Sequence, residues 1–217
     1  MSVYLTIIGN HSIPFKNKEL EDKSKLIDLL NSLKLEESSF LKEELTVRYS
    51  SNKHCNSSFY SWSFIENEDD YSVPCSDSEH YELKGPFGLE LEINKHFFVF
   101  DRWRYSWYYW FIESNEIFLK EWRQIISKTS KILGGDYVMY FPDNLLGGDL
   151  ANYSPDNWAF PKGIEANFQT KIKDLNQLIE FISQQWSKPF TFAEGYKEYL
   201  EGDKVPFILD RFEDLDK

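Results

Sequence analysis

LELEINKHFFVFDRWRYSWYYWF, residues 89–111, is the stretch on which the fold turns. Leu89, Leu91 and Ile93 point one way and Glu90 and Glu92 the other, the period-two pattern of a strand with one buried face. Asn94-Lys95 supplies a two-residue turn, and residues 96–103 return as the second arm of a hairpin. Ten of the fifteen residues in 97–111 are aromatic. Each such ring buries roughly 150–250 Å², so together they carry on the order of 2,000 Å². A soluble monomer exposes apolar patches of a few hundred Å² at most. Most of these rings therefore belong to the core, and only an aromatic edge at Arg102, Trp103, Arg104 and Trp107 is left for recognition.

Upstream, residues 3–8 read as a buried strand ended by Gly9-Asn10. Residues 18–34 read as a helix with Leu26, Ile27, Leu30 and Leu33 in its apolar stripe. Asn17 is placed to cap it, and Glu19 and Glu21 fall in the first turn, where the helix dipole favours acids. Residues 45–49 and 59–65 are expected strands, the second with Tyr60, Trp62 and Phe64 on one face. Downstream, Ser114 opens a helix carrying Phe118, Trp122, Ile125, Ile126, Ile132 and Leu133 at helical spacing. Gly134 supplies its C′ residue. Residues 137–141 form a strand that stops at Pro142. A third amphipathic helix is expected over 168–186, with Ile172, Leu175, Ile179 and Ile182 inward. Thr191 to Glu194 is a capping box opening a short helix, residues 205–209 are a last strand, and the acidic tail frays from about residue 213.

Hairpins precede the long helices instead of alternating with them. That order predicts an α+β fold: a single domain over residues 1–217, with a mostly antiparallel or mixed sheet and three to four helices packed mainly on one face. Aromatics at 18% of the chain are enough for a substantial core without disulfides or metals.

The charge balance restricts the partners. Lys and Arg number 24 against 36 Asp and Glu, a net charge of −12. Nucleic-acid binding rests on cationic neutralisation of phosphates, so it is disfavoured; an anionic membrane surface is disfavoured for the same reason. No apolar run approaches the ~18 residues of a membrane span. Cys55 and Cys75 are the only cysteines, and they make neither a disulfide framework nor a metal spacing. Residues 1–15 lack the basic n-region of a signal peptide. The expected location is the cytoplasm, with no cofactor and no metal. The sequence leaves the oligomeric state open.

Motifs for chemistry are sparse. The L-G-G-D matches at 133–136 and 146–149 lack the context of a phosphate loop, and the first reads as a helix end followed by a strand. Asp136, Asp143, Asp149 and Asp156 do not follow the order of a calcium loop. His11, His54, His80 and His96 are scattered, and no G-x-S-x-G motif occurs. The most suggestive element is a long acidic loop at about 66–86, within a stretch from His54 to Leu83 that has no Lys or Arg. Glu66, Glu68, Asp69, Asp70, Asp77 and Glu79 would present an anionic surface to a basic partner, with Tyr71 and Tyr81 as anchors.

The run WRQIISKTSKILGGDYVMYFPD, residues 122–143, together with the upstream aromatic segment 107–111, resembles a block in small acidic bacterial proteins. Among these are immunity proteins that neutralise polymorphic or contact-dependent toxins. The shared pattern is an aromatic segment, a helix ending in Gly-Gly and a strand closing on Pro-Asp. The resemblance implies a cytosolic, non-enzymatic inhibitor that occludes a cognate toxin, and it transfers no binding residues. The expected function is thus protein binding, with a basic toxin domain as the partner. The rival expectation is an enzyme or carbohydrate-binding protein that uses an aromatic cleft with paired carboxylates.

Overall fold

The structure, a computed structural model, describes residues 5–16, 19–39, 41–42, 61–64, 80–100, 116–142, 172–185, 188–194 and 207–215. Two kinds of strand pattern organise it. Strands β1 (Leu5–Gly9) and β8 (Val138–Pro142) are nearly continuous apolar runs, whereas β6 (Glu90–Asn94) alternates apolar with acidic. A continuous run belongs where both faces of a sheet are covered; alternation belongs where only one face is. The sheet obeys that division.

Among the described residues, eight strands form one sheet. The others are β4 (Ser63–Phe64), β5 (His80–Lys84), β7 (Phe98–Phe100), β9 (Phe190–Thr191) and β10 (Ile208–Asp210), and the order is β4-β5-β6-β7-β1-β8-β10-β9. Every neighbouring pair is antiparallel except β10 with β9, which is parallel. The sheet is thus mixed and mostly antiparallel, and with its helices gives a single α+β domain.

Side chains from successive residues enter different cores. Ile7, Phe98, Phe100, Val138, Tyr140 and Ile208 pack with helix α1 (Lys23–Asn31) and helix α2 (Glu116–Ile132). Their neighbours Ile8, Met139, Val99 and Leu209 pack with helix α3 (Leu175–Gln185). Two of these helices share one face, and α3 covers the other face along β7, β1, β8 and β10. On the remaining half, Leu89, Leu91 and Ile93 are fully buried while Glu90 is exposed. Gly9 lies opposite Phe98 in the ladder, and a Cβ there would run into the Phe98 ring.

The expected hairpin is present over residues 90–100 as β6 and β7, and residues 101–103 of its second arm lie outside the described residues. Its turn is centred on Lys95-His96, because Asn94 Oδ1 accepts the N–H groups of His96 and Phe97, each at 2.8 Å. Helix α2 ends as its sequence predicts. Gly134 sits at φ +75°, Gly134 N–H donates to Lys131 O and Gly135 N–H to Ser130 O, the paired bonds of a Schellman cap.

Some expectations are corrected. The first helix begins at Lys23, not at residue 18. Glu19–Leu20 pairs with Phe15–Lys16 as a small hairpin, β3 with β2. Leu20 N–H goes to Tyr81 Oη and Glu21 N–H to Pro14 O, so these donors are spent outside any helix. Helix α3 begins at Leu175 because Asp174 caps it, its Oδ1 accepting Gln177 N–H at 2.9 Å. Residues 80–84, expected inside the acidic loop, are strand β5. Tyr81 and Leu83 alternate inward and pair with Ile93 and Leu91, a pattern masked by the surrounding acids. Residues 213–215, expected to fray, form a turn over buried Phe212, with Leu215 against the core.

Candidate functional site

Helix α2 carries Arg123 on the flank of its apolar stripe, beside the buried Trp122. Strand β10 places Asp210 on the same face of the sheet as Ile208, because alternate residues share a face. The two meet in the interior with 4% and 1% of their side chains exposed. Arg123 Nε donates to Asp210 Oδ2 at 2.8 Å and Nη2 to Asp210 Oδ1 at 2.9 Å. Asp214, from the turn after β10, takes the other side of the guanidinium: Nη1 donates to its Oδ2 at 2.7 Å and Nη2 to its Oδ1 at 2.6 Å. Tyr140 on β8 donates its hydroxyl to Asp210 Oδ2 at 3.0 Å, and Phe212 N–H donates to Asp210 Oδ1 at 2.9 Å.

Phe192 closes the group from above, with Arg123 Cζ 3.7 Å from its ring centre. The ring is placed by the capping box that the sequence announces. Thr191 N–H and Oγ1 both donate to Glu194 Oε2, at 3.0 and 2.7 Å, and Glu194 N–H donates back to Thr191 Oγ1. Those bonds hold the Glu194 carboxyl below its ordinary range.

The chemistry of this cluster is restricted by its saturation. Burial pulls the Arg123 charge down, but hydrogen bonds to Asp210 and Asp214 outweigh it and hold the guanidinium above its ordinary pKa. Burial first, and the Asp210 charge second, hold the Tyr140 phenol well above its usual range, so it stays a donor. Asp210 is the acceptor in all four of its bonds and presents no proton to a substrate. A paired guanidinium and carboxylate with this many partners is a structural clamp, joining α2 to the last strand.

A second cluster lies near the β4 edge of the sheet. Tyr81 on β5 packs against Phe64 on β4 and Phe15 on β2, each pair of ring centres 6.0 Å apart. The Lys23 ammonium, at the start of α1, stands 4.5 Å from the Tyr81 ring centre and 5.6 Å from that of Phe64. The Tyr81 ring is fixed by its hydroxyl, which accepts Leu20 N–H at 3.0 Å.

A third cluster joins the loop after β1 to the β6–β7 turn. The ring of His11 uses both nitrogens: Nε2 meets Asn94 O at 2.6 Å, and Nδ1 accepts Ile13 N–H at 3.2 Å. Only the neutral imidazole with its proton on Nε2 serves both partners. Burial lowers its pKa, with a smaller push from His96.

Of the sequence-predicted partner-binding residues, Tyr81 is described, and it is half-buried in a strand, not displayed on a loop. Glu66, Glu68, Asp69, Asp70, Tyr71, Asp77 and Glu79 lie outside the described residues, as do Arg102, Trp103, Arg104 and Trp107 of the aromatic edge. Asp136 is exposed and accepts a bond from Asn10 at 2.9 Å; Asp143, Asp149 and Asp156 lie outside the described residues. Among the described residues no group of three or more His, Cys, Asp or Glu is gathered to hold a metal, and no helix is long and apolar enough to cross a membrane.

Arg123, Asp210, Lys23 and Phe15 are not among the residues that the sequence marks as a site. Arg123 and Asp210 are 87 residues apart, so no local motif links them. A signal was present in the second case: Asp210 is a lone acid in the apolar run FILDRF, residues 207–212, and a buried carboxylate needs a partner. No protein family, characterised protein or solved structure matches the chain.

Proposed function

We propose that this chain is a non-enzymatic protein-binding module, an immunity-type inhibitor of bacterial origin that acts in the cytoplasm and occludes a basic toxin domain. The observation that carries the reading is the distribution of charge. The net charge is −12, and the acid-rich stretch free of Lys and Arg leads from β4 into β5, the two outermost strands at one edge of the sheet among the described residues. An anionic partner surface accelerates encounter with a basic protein and selects against others, even where each ion pair adds little affinity.

The clamp supports the same reading. An enzyme working through paired carboxylates needs one of them to bear a proton for the substrate. Asp210 and Asp214 are a pair of carboxylates brought together by the fold, and both are spent on Arg123.

The test is co-expression with a basic toxin domain sought among the genes beside this one. Protection of the cells, a 1:1 complex and an association rate that falls with salt are the expected results. Equal killing of cells with and without this protein would end the proposal.

A further inference from the structure

The Lys23 ammonium stands over two rings on different strands, yet its own position on the helix works against it. It is the first residue of α1, whose first turn contains no acid. The positive end of the helix dipole repels a cation there. Cation–π attraction to Tyr81 and Phe64 is of the same order as that repulsion, so the side chain is held weakly and its departure costs little. The rings, by contrast, are held firmly. Tyr81 is wedged between Phe15 and Phe64 and pinned through its hydroxyl, and all three rings are half-buried. A rigid aromatic seat with a loosely held cation is built for exchange.

We propose that the Phe64–Tyr81 seat receives a lysine side chain from the basic partner, and that Lys23 occupies it only while the partner is absent. On docking, Lys23 swings into solvent and the incoming ammonium takes its place over the rings, one cation for another. The proposal rests on the reading that the partner is a basic protein, and it assigns that partner a point of contact. Tyr81 is then an anchor, as its sequence context suggested, through its ring face and not through a loop.

The probe is a fluorescein-labelled octalysine peptide, with affinity read from anisotropy at fixed low salt. Lys23→Met removes the resident cation and keeps the stem. Lys25→Met, at an exposed lysine without a ring contact among the described residues, makes the same change in net charge. Lys23→Met should bind the peptide about three- to fivefold more tightly than Lys25→Met. Adding Phe64→Leu to Lys23→Met should reduce that gain while Tyr81, the nearer ring, stays in place, with near-ultraviolet circular dichroism confirming an intact core. Equal affinities for the two lysine variants, or a gain undiminished by Phe64→Leu, would overturn the seat. Neither result bears on toxin protection. Failure of protection with the Lys23→Met gain intact would overturn the inhibitor reading and leave the seat standing.

Discussion

Arg123 and Asp210 meet edge to edge in the interior, two nitrogens against two oxygens, although 87 residues of chain separate them. The pair ties the middle of α2 to β10, the last strand in the chain, which lies between β8 and β9 in the sheet. Asp214 meets the same guanidinium from a turn where 62% of its side chain is exposed. One cation therefore has a dry partner and a wet one, and the difference can be measured.

Removing the dry partner leaves a buried guanidinium short of a counter-charge. Asp210→Ala should cost about 3–5 kcal/mol of unfolding free energy. Asp214→Ala, screened by water, should cost less than about 1 kcal/mol. Urea denaturation followed by tryptophan fluorescence measures both. Equal losses would show that the clamp is not divided between a buried and a solvated arm.

Gly9 and Phe98 are cross-strand partners, and the ring of Phe98 lies where a Cβ on Gly9 would go. Gly9→Ala should therefore destabilise by about 1–3 kcal/mol through overpacking. If the ring is the cause, Gly9→Ala combined with Phe98→Leu should lose less than the sum of the two single changes. Strict additivity would place the cost in the backbone instead.

How much of this was legible depends on the range of the forces involved. The period-two pattern at residues 89–93, the apolar runs of β1 and β8, the Gly134 helix end and the Thr191–Glu194 box are local, and the sequence displays each of them. The expectation of helices mainly on one face holds for α1 and α2, whereas α3 covers the other face along β1 and β8 and starts seven residues later than its hydrophobic spacing suggests. The cap at Asp174 decides that boundary. The β2–β3 hairpin was hidden because two-residue strands have no period to read. The Arg123 clamp and the Lys23 seat were hidden for another reason: each is assembled from separate elements, and only the order of strands in the sheet brings them together.

The acidic segment makes a kinetic prediction. Replacing Glu68, Asp69 and Asp70 by Lys reverses three charges in the stretch proposed to steer a basic partner. Association with the toxin domain should slow by about tenfold or more at low salt, while dissociation changes less. Stopped-flow measurements at two ionic strengths check both arms. Unchanged association would clear these residues of the steering role and move the contact elsewhere on the surface.

His11 makes the fold sensitive to mild acid. In the native state its ring must stay neutral to accept Ile13 N–H, and burial, with the nearby His96, lowers its pKa from the ordinary 6.5. The unfolded chain takes up a proton near 6.5; the native chain resists until a lower pH. Between those two points the unfolded state holds more protons, so stability falls as pH drops. The contribution is complete above 6.5, declines below it, and levels off once the native ring also protonates. The urea midpoint should thus decrease from pH 7.5 to 5, and His11→Gln should flatten that dependence even if it lowers the midpoint throughout. A slope equal to that of the unaltered protein would assign the acid sensitivity to other groups. The flattening, if seen, ties the β6–β7 turn to the loop after β1 through one proton, because Asn94 and Ile13 are held by opposite nitrogens of the same ring.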